Sequence, residues 1–456
     1  MKKEKSVIQD FTTGSIPGHL INFAIPILLS NLMMILLNTV DMAVVGRVLG
    51  QAGTSAISTG FAIALFVNTF AGGFSAASQI QIAHLVGAGE HKRISTYIST
   101  VSGIIFVFTL AIMAVTIPLN KTLINLVNTP PEAYKGALQY SLINLLGIIP
   151  IFAYHILSAF IRGLGDSRHP FYFIAIACAL NILLDLLFVG VFHWGVASAA
   201  IATVIAQFIS VICSITFLYN NRQKLGLSLS KKDFFTWNKP ISINFLKLSI
   251  PIALKNCAIH GAALAVTSLV NNFGVTISAF SGIRDNINIT IILLINCIGA
   301  SGAMIVGQNL AARKLTRVLK TMGWVAVFAL SSTLIISLAF SIFPEQIVSL
   351  YTSEPDIIKL ARPYIPIALI AFSGLGFNAI FRSLVDGSGN HKINIWIAIF
   401  DAVIARVGLA YLLGVYLNKG YMGLWYGLAL SEYVPVIIGI IFFMSGIWKR
   451  KTAIQS

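Results

Sequence analysis

The chain has 456 residues, of which 57% are hydrophobic and only 10% charged, and its formal net charge is +16. A water-soluble fold of this length needs a charged exterior that such a composition cannot supply, so the chain reads as an integral membrane protein. A positive balance of this size would suggest nucleic acid in a soluble protein; here the position of the bases along the chain explains it, and no nucleic-acid partner is expected.

The first residues, MKKEKSVIQDFTTGSIPGHL, are too polar for a cleavable signal, and the first apolar segment is expected to stay as a span. Apolar stretches near the ~20 residues that cross a bilayer then recur at 20–46, 54–85, 95–118, 137–161, 171–192, 196–219, 245–272, 276–306, 319–343, 359–381, 393–417 and 421–447. The expected fold is all-α, with twelve transmembrane helices in two six-helix lobes. With both termini cytoplasmic, the inside segments hold 22 Lys or Arg and the outside loops 6, which is the asymmetry of the positive-inside rule. Cys178, Cys213, Cys257 and Cys297 fall inside spans at wide intervals, so they read as packing residues and imply neither a disulfide nor a zinc site.

The longest polar interval, residues 220–244, carries five Lys or Arg and separates the sixth span from the seventh. It is expected to be a cytoplasmic connector between a first lobe, 1–219, and a second, 245–456. The two lobes read as copies. INFAIPILLSN around Pro26 realigns with FLKLSIPIALKN around Pro251 at an offset of 225, which places Asp41 opposite Val266. QIAHLVGAGEHKR, ending at Arg93, realigns with MIVGQNLAARKLTR (304–317), and residues 126–140 realign with 350–364, both at 224. R-x-L-x-D recurs as Arg162 to Asp166 and Arg382 to Asp386 at 220, which places Asp185 opposite Ala405. An even number of spans per copy makes this a parallel repeat, with substrate expected between the lobes.

Charge near the bilayer centre costs on the order of 2.5 to 3.5 kcal/mol on insertion scales, so polar residues inside spans point to chemistry. In the first copy, Asp41 follows Asn38 by three residues on one helical face, and Asn181 and Asp185 are four apart in NILLD. Thr203 adds a hydroxyl in the sixth span. These oxygen ligands suit a proton or Na⁺, because desolvation and a neighbouring like charge both favour the neutral acid and let one carboxyl take up and release a cation. Pro26, within the first span, frees a backbone carbonyl and permits a helix bend coupled to Asp41, or simply a fixed kink. The second copy is expected to bury Lys255, Arg284, Asp285, Asp401 and Arg406, and Glu432 in the twelfth span has no assigned role. Arg406 is expected to pair with Asp401 and stabilise its lobe; Lys255 is expected to pair with Asp285 or Asp401, or to face an anionic substrate. Met33, Met34, Phe66, Phe70 and Phe152 are candidates for an adaptable apolar cavity wall.

Taken together, DFTTGSIPGHLINFAIPILLSN, NTVDMAVVGR, RGLGDSRHP, NILLD, GVASAAIATVIAQ and VGQNLAAR resemble the multidrug and toxic compound extrusion (MATE) family, closest to its DinF-like branch, over essentially the whole chain. The resemblance implies a monomeric antiporter of a prokaryotic plasma (inner) membrane, driven by H⁺ or Na⁺ and exporting organic, cationic or amphipathic compounds by alternating access of a V-shaped cavity. It also implies an N-lobe coupling site at Asp41, Asn181, Asp185 and Thr203, and it alone adds Tyr140. Where many relatives have glutamine and tyrosine before the first-helix acid, this chain has Met33, Met34 and Leu37; where other branches have a seventh-helix acid, it has Lys255, Asn256 and His260.

The alternative function is a flippase for a lipid-linked saccharide or cell-wall precursor, a class favoured by a cationic cavity and supported by Lys255, Arg284 and Arg406. An enzyme is not expected: no H-E-x-x-H spacing or nucleophile motif occurs, and His84, His155 and His260 are isolated. No cofactor is expected beyond the coupling ion.

Overall fold

The computed structural model describes residues 8–126, 129–225 and 237–449, apart from the side chains of Phe66, Ala402 and Val403. Much of the expected connector, at 226–236, lies outside the described residues. The helices are α1 (Ile16–Gly87), α2 (His91–Leu126), α3 (Pro131–Leu146), α4 (Ile148–Gly163), α5 (Arg168–Asp185) and α6 (Val196–Asn220). They continue as α7 (Lys239–Asn271), α8 (Val275–Ala311), α9 (Leu315–Ile342), the short α10 (Pro344–Ser349) and α11 (Pro355–Ile358), and α12 (Ala361–Ser388). The last stretches are α13 (His391–Ile397), α14 (Gly408–Tyr411), α15 (Gly420–Ser431) and α16 (Val434–Ser445). Wider π-helical turns extend α5 over Leu186–Val191 and join α13 and α14 into one stretch ending at Tyr416.

At 1.5 Å per residue the 72 residues of α1 would run to about 108 Å, several times the ~30 Å hydrocarbon thickness. Gly50 divides it, at φ 68 and ψ −156, a conformation open essentially to glycine alone. The pair α3 and α4 is bent by 49°. Pro150 has no N–H to offer the carbonyl of Leu146, and Gly147 sits where a Cβ would lie 2.1 Å from Val204 Cγ2 of α6, so the chain turns at that point. Among the described residues, ten helices are long and apolar enough to cross a membrane, and the bent pair adds an eleventh crossing. The break at Gly50 makes α1 two crossings, so the described residues give the twelve spans the sequence predicts.

Packing divides the chain into two compact units. The first holds the described residues up to Gln9 and Ile25–Ser249; the second holds Asp10–Ala24 and the described residues from Ile250 on. The lobe boundaries expected at 219 and 245 both fall inside the first unit, because the starts of α1 and α7 are exchanged between the two units. Phe11 is fully buried in the second unit: its N–H donates to Gln308 Oε1 at 2.8 Å, and its carbonyl accepts from Asn309 Nδ2 at 3.1 Å and Arg317 Nε at 2.9 Å. In the first unit, Gln81 Nε2 donates to the Asn244 carbonyl at 3.1 Å and the rings of Phe74 and Phe245 lie 5.9 Å apart. In both α1 and α7 the change of unit falls within two residues of the proline, Pro26 and Pro251.

Backbone conformation gives the register of the repeat directly. Positive φ recurs at Gly50 and Gly274, Gly89 and Arg313, and Gly165 and Gly389, each pair 224 apart, and at His193 and Asn418 and Gly195 and Gly420, each 225 apart. A close helix crossing repeats as well. A Cβ on Gly163 would lie 2.7 Å from Ile82 Cβ and 3.1 Å from the Gln79 carbonyl; one on Gly387 would lie 2.9 Å from Val306 Cβ and 2.7 Å from the Ala303 carbonyl. Both partners in this crossing are again 224 apart. The R-x-L-x-D match at 220 is therefore one helical turn out of register, an error that keeps every side chain on nearly the same face. The counterpart of Asp185 is Leu409 or Ala410, not Ala405, and it remains apolar.

Candidate functional site

Three helices of the first unit bring the intramembrane polar groups together. Asp41 projects from the first half of α1, Asn181 and Asp185 from the last turn of α5, and Thr203 from the second turn of α6; Asp41, Asn181 and Asp185 are at most 1% exposed. Thr203 Oγ1 lies 3.0 Å from Asp41 Oδ2 and 3.1 Å from the Ala199 carbonyl, so its single proton serves one or the other. With its amide nitrogen toward Asp41, Asn181 donates to Asp41 Oδ1 at 2.9 Å while its oxygen faces the Thr203 hydroxyl and N–H at 3.3 Å. The opposite orientation would set two acceptors against each other. Asp41 and Asp185 lie within carboxyl–carboxyl hydrogen-bonding reach, and Asp185 Oδ1 has no hydrogen-bond partner among the described residues.

The local sequence explains this convergence. α5 widens into the π turn Leu186–Val191 directly after Asp185, a deformation common at functional sites. α6 restarts after Gly195, whose φ of 83 turns the chain back, and Ala199, Ala200, Ala202 and Ala206 are small enough for neighbouring helices to approach closely. Tyr140 of α3 is buried among Val45, Ile57, Val189, Ala199 and Ala200, with its ring over Gly60, where a Cβ would lie 2.7 Å from Cδ1. It stands within electrostatic reach of both Asp41 and Asp185. Neither acid has a Lys, Arg or His ion-pair partner among the described residues. Two carboxyls and a hydroxyl, with the Asn181 amide donating to one of the carboxyls, make a hard, oxygen-rich set fit for a proton or a small monovalent cation.

A family model described as MatE matches residues 26–187 and 251–412, once in each repeat and over more than half of the chain. The chain belongs to the MatE family. It is thus a multi-pass membrane transporter of the MATE group and not an enzyme. It is 26% identical to the probable multidrug resistance protein YpnP of Bacillus subtilis strain 168, covering 96% of this chain and 97% of that protein. It is 25% identical to the probable multidrug resistance protein NorM of Thermotoga maritima, covering 96% and 94%. Its fold matches a crystal structure of MATE in the bent conformation with a TM-score of 0.89, at 21% identity over 99% of this chain and 100% of that one. The straight conformation matches at 0.85, with 20% identity over 97% and 98%.

Other residues singled out in this MatE-family sequence are placed differently from expectation. Asn38 turns its amide back to the Met34 carbonyl at 3.0 Å rather than toward Asp41. Met33, Met34 and Phe70 are half-buried; Phe70 lies 6.2 Å from the Phe108 ring. Phe152 is completely buried, so its ring offers no face to a cavity. The side chain of Phe66 lies outside those described. Pro26 sits inside α1, and its carbonyl accepts from Ser30 Oγ at 2.7 Å.

In the second unit, Lys255 pairs with neither Asp285 nor Asp401. Its ammonium donates to Asn394 Oδ1 at 2.9 Å and faces Asp386 Oδ1 at 3.9 Å, because Asp285 is held by Arg284 at 2.6 Å and Asp401 by Arg406 at 3.3 Å. Arg406 also binds Glu432, at 2.8 Å. Gln207, one turn beyond Thr203, is a further buried polar group and was missed from sequence; its Oε1 has no hydrogen-bond partner among the described residues. The signal is an amide four residues after Thr203, on the same face of the span.

Proposed function

We propose that this chain is an antiporter that exports organic, cationic or amphipathic compounds by alternating access, driven by H⁺ or Na⁺ carried at Asp41, Asp185, Asn181 and Thr203. The observation that carries this reading is the pair of buried acids on α1 and α5, with Thr203 and Asn181 both bonded to Asp41 and without a basic partner for either acid among the described residues. Two such acids in low dielectric cannot both stay ionised without a counter-charge, so they hold an exchangeable cation. Tyr140 flanks them, and Pro26 lets α1 bend as Asp41 changes state. Each elementary charge moving down 100 mV supplies about 2.3 kcal/mol, enough for a roughly fiftyfold substrate gradient.

The names of the multidrug resistance relatives support the substrate class. The excess of Lys and Arg in alternate loops supports two cytoplasmic termini in a prokaryotic plasma membrane. A monomer and the DinF-like branch complete the reading. The flippase alternative drew on Lys255, Arg284 and Arg406, each of which has an acid within 4 Å in its own unit, so the exporter is preferred. The test is transport in proteoliposomes under separately imposed proton and Na⁺ gradients, native chain against Asp41→Asn. Gradient-driven export at the native rate in the variant would remove Asp41 from the coupling role, and lipid flipping without drug efflux would favour the alternative.

A further inference from the structure

The second unit repeats the helices of the candidate cation site but fills them with different chemistry. α5 and α6 have counterparts in the stretch 391–416 and in α15 with α16. The offset of 225 is given by His193 and Asn418 and by Gly195 and Gly420, and it equals the spacing of the two family matches. At this offset Arg406 takes the place of Asn181, and Glu432 takes that of Gln207. Asp401 stands five residues before Arg406 in the π-helical stretch Ala398–Val407. Arg406 Nη2 donates to Glu432 Oε1 at 2.8 Å, and Arg406 Nε lies 3.3 Å from Asp401 Oδ1. The side chains of Asp401, Glu432 and Arg406 are 3%, 10% and 16% exposed. Asp401 Oδ1 and Arg406 Nε make no hydrogen bond, so their contact is ionic.

We propose that Arg406 is a covalently attached cation filling the second unit's version of the cation site, and that Asp401 and Glu432 form a latent site for one monovalent cation. This rests on the reading that the first unit binds the coupling ion. A guanidinium keeps its charge at any physiological pH and cannot diffuse away, so it neutralises these acids permanently, whereas Asp41 and Asp185 depend on an ion that comes and goes. The remaining charges nearby set the stoichiometry. Lys255 also bears electrostatically on Asp401 but already faces Asp386, which Arg382 binds at 3.0 Å. With Arg406 removed, the acids Asp386, Asp401 and Glu432 face the two bases Lys255 and Arg382. One negative charge is left, and one H⁺ or Na⁺ balances it.

The experiment counts monovalent cations per purified chain, as ²²Na⁺ by equilibrium binding and as protons by potentiometric titration. It compares the native chain with Arg406→Gln, Arg406→Lys, Asp41→Asn, and Arg406→Gln combined with Asp41→Asn. Arg406→Gln is expected to take up one cation more than native, Arg406→Lys the same as native, and the double variant one more than Asp41→Asn alone. A folded Arg406→Gln with the native count overturns the proposal, as does an extra cation that disappears with Asp41→Asn. If Asp41→Asn leaves the native count unchanged while Arg406→Gln still gains a cation, the coupling reading fails and the latent site stands. If Arg406→Gln does not fold, Arg406→Gln with Glu432→Gln decides, since its charges balance again. Recovery of the fold with the native count supports the proposal, and no recovery overturns it.

Discussion

Thr203 Oγ1 meets Asp41 Oδ2 at 3.0 Å, joining α6 to α1 across 162 positions of sequence. The hydroxyl is the smallest group able to reach both the carboxyl and its own helix carbonyl, so Thr203→Val should keep the shape of α6 and remove only the oxygen. A hydrogen bond to a charged group contributes about 1.5 to 3 kcal/mol. The apparent affinity for the driving cation is therefore expected to fall about tenfold or more in Thr203→Val, with the maximal export rate at saturating cation less affected. The measurement is export rate against H⁺ or Na⁺ concentration in proteoliposomes. An unchanged half-saturating concentration would take Thr203 out of the cation shell.

The repeated crossing at Gly163 and Gly387 predicts a matched pair of defects. An added Cβ would meet backbone oxygen and a β-branched side chain at 2.7 to 3.1 Å in each unit, and neither neighbour can swing away. Overpacking of this kind costs about 1 to 3 kcal/mol. Gly163→Ala and Gly387→Ala should each lower the thermal midpoint in detergent by a similar amount. Gly103→Ala, with open space around it, should not. A large asymmetry between the two crossing variants would mean that the crossings are not equivalent.

What the sequence made legible follows from where mistakes are expensive. Polar groups in apolar spans stand out because a membrane tolerates few of them, which singles out the acids Asp41 and Asp185 together with Asn181 and Thr203. The twelve spans are legible for the same reason, and the interval 47–53 between the first two contains the break at Gly50. The register of the repeat was harder: a short R-x-L-x-D motif shifted by one helical turn preserves the helical face, and only backbone conformation at Gly165 and Gly389 exposed the slip. The partner of Lys255 was not legible either. Asp285, Asp386 and Asp401 are all acids of the second unit, and choosing among them needs the packing of α7 against α12 and α13. Nor could pattern alone reveal that α1 and α7 each change unit near a proline, because hydrophobicity is continuous through both.

Lys255 provides a test of that buried network. Its side chain is 8% exposed, and its ammonium bonds Asn394 while facing Asp386. Lys255→Ala leaves the Asn394 oxygen and part of the Asp386 charge without compensation, and breaking a buried pair in this way costs about 3 to 5 kcal/mol. Lys255→Met combined with Asp386→Asn keeps the volume and removes both charges, so it should recover most of the loss. Thermal unfolding of the two variants in detergent separates these outcomes. A double variant no more stable than Lys255→Ala would show that the polar contacts of Lys255 with Asn394 and of Asp386 with Arg382, rather than uncompensated charge, set the stability.

Asp185 offers the sharpest separation between a functional and a structural carboxyl. It is fully buried, and one of its oxygens has no hydrogen-bond partner among the described residues, an arrangement that stabilises nothing while it stays ionised. Asp185→Asn preserves the shape and removes the ability to bind or release a cation. If Asp185 is part of the coupling site, gradient-driven export should fall by at least about tenfold while the thermal midpoint stays level or rises, because a buried ionisable group is gone. If it is instead a packing residue held by contacts to α1, the variant should lose stability and keep the coupling. Measuring both quantities on the same preparation decides between them: a destabilised variant with native coupling would return the ion to Asp41 alone.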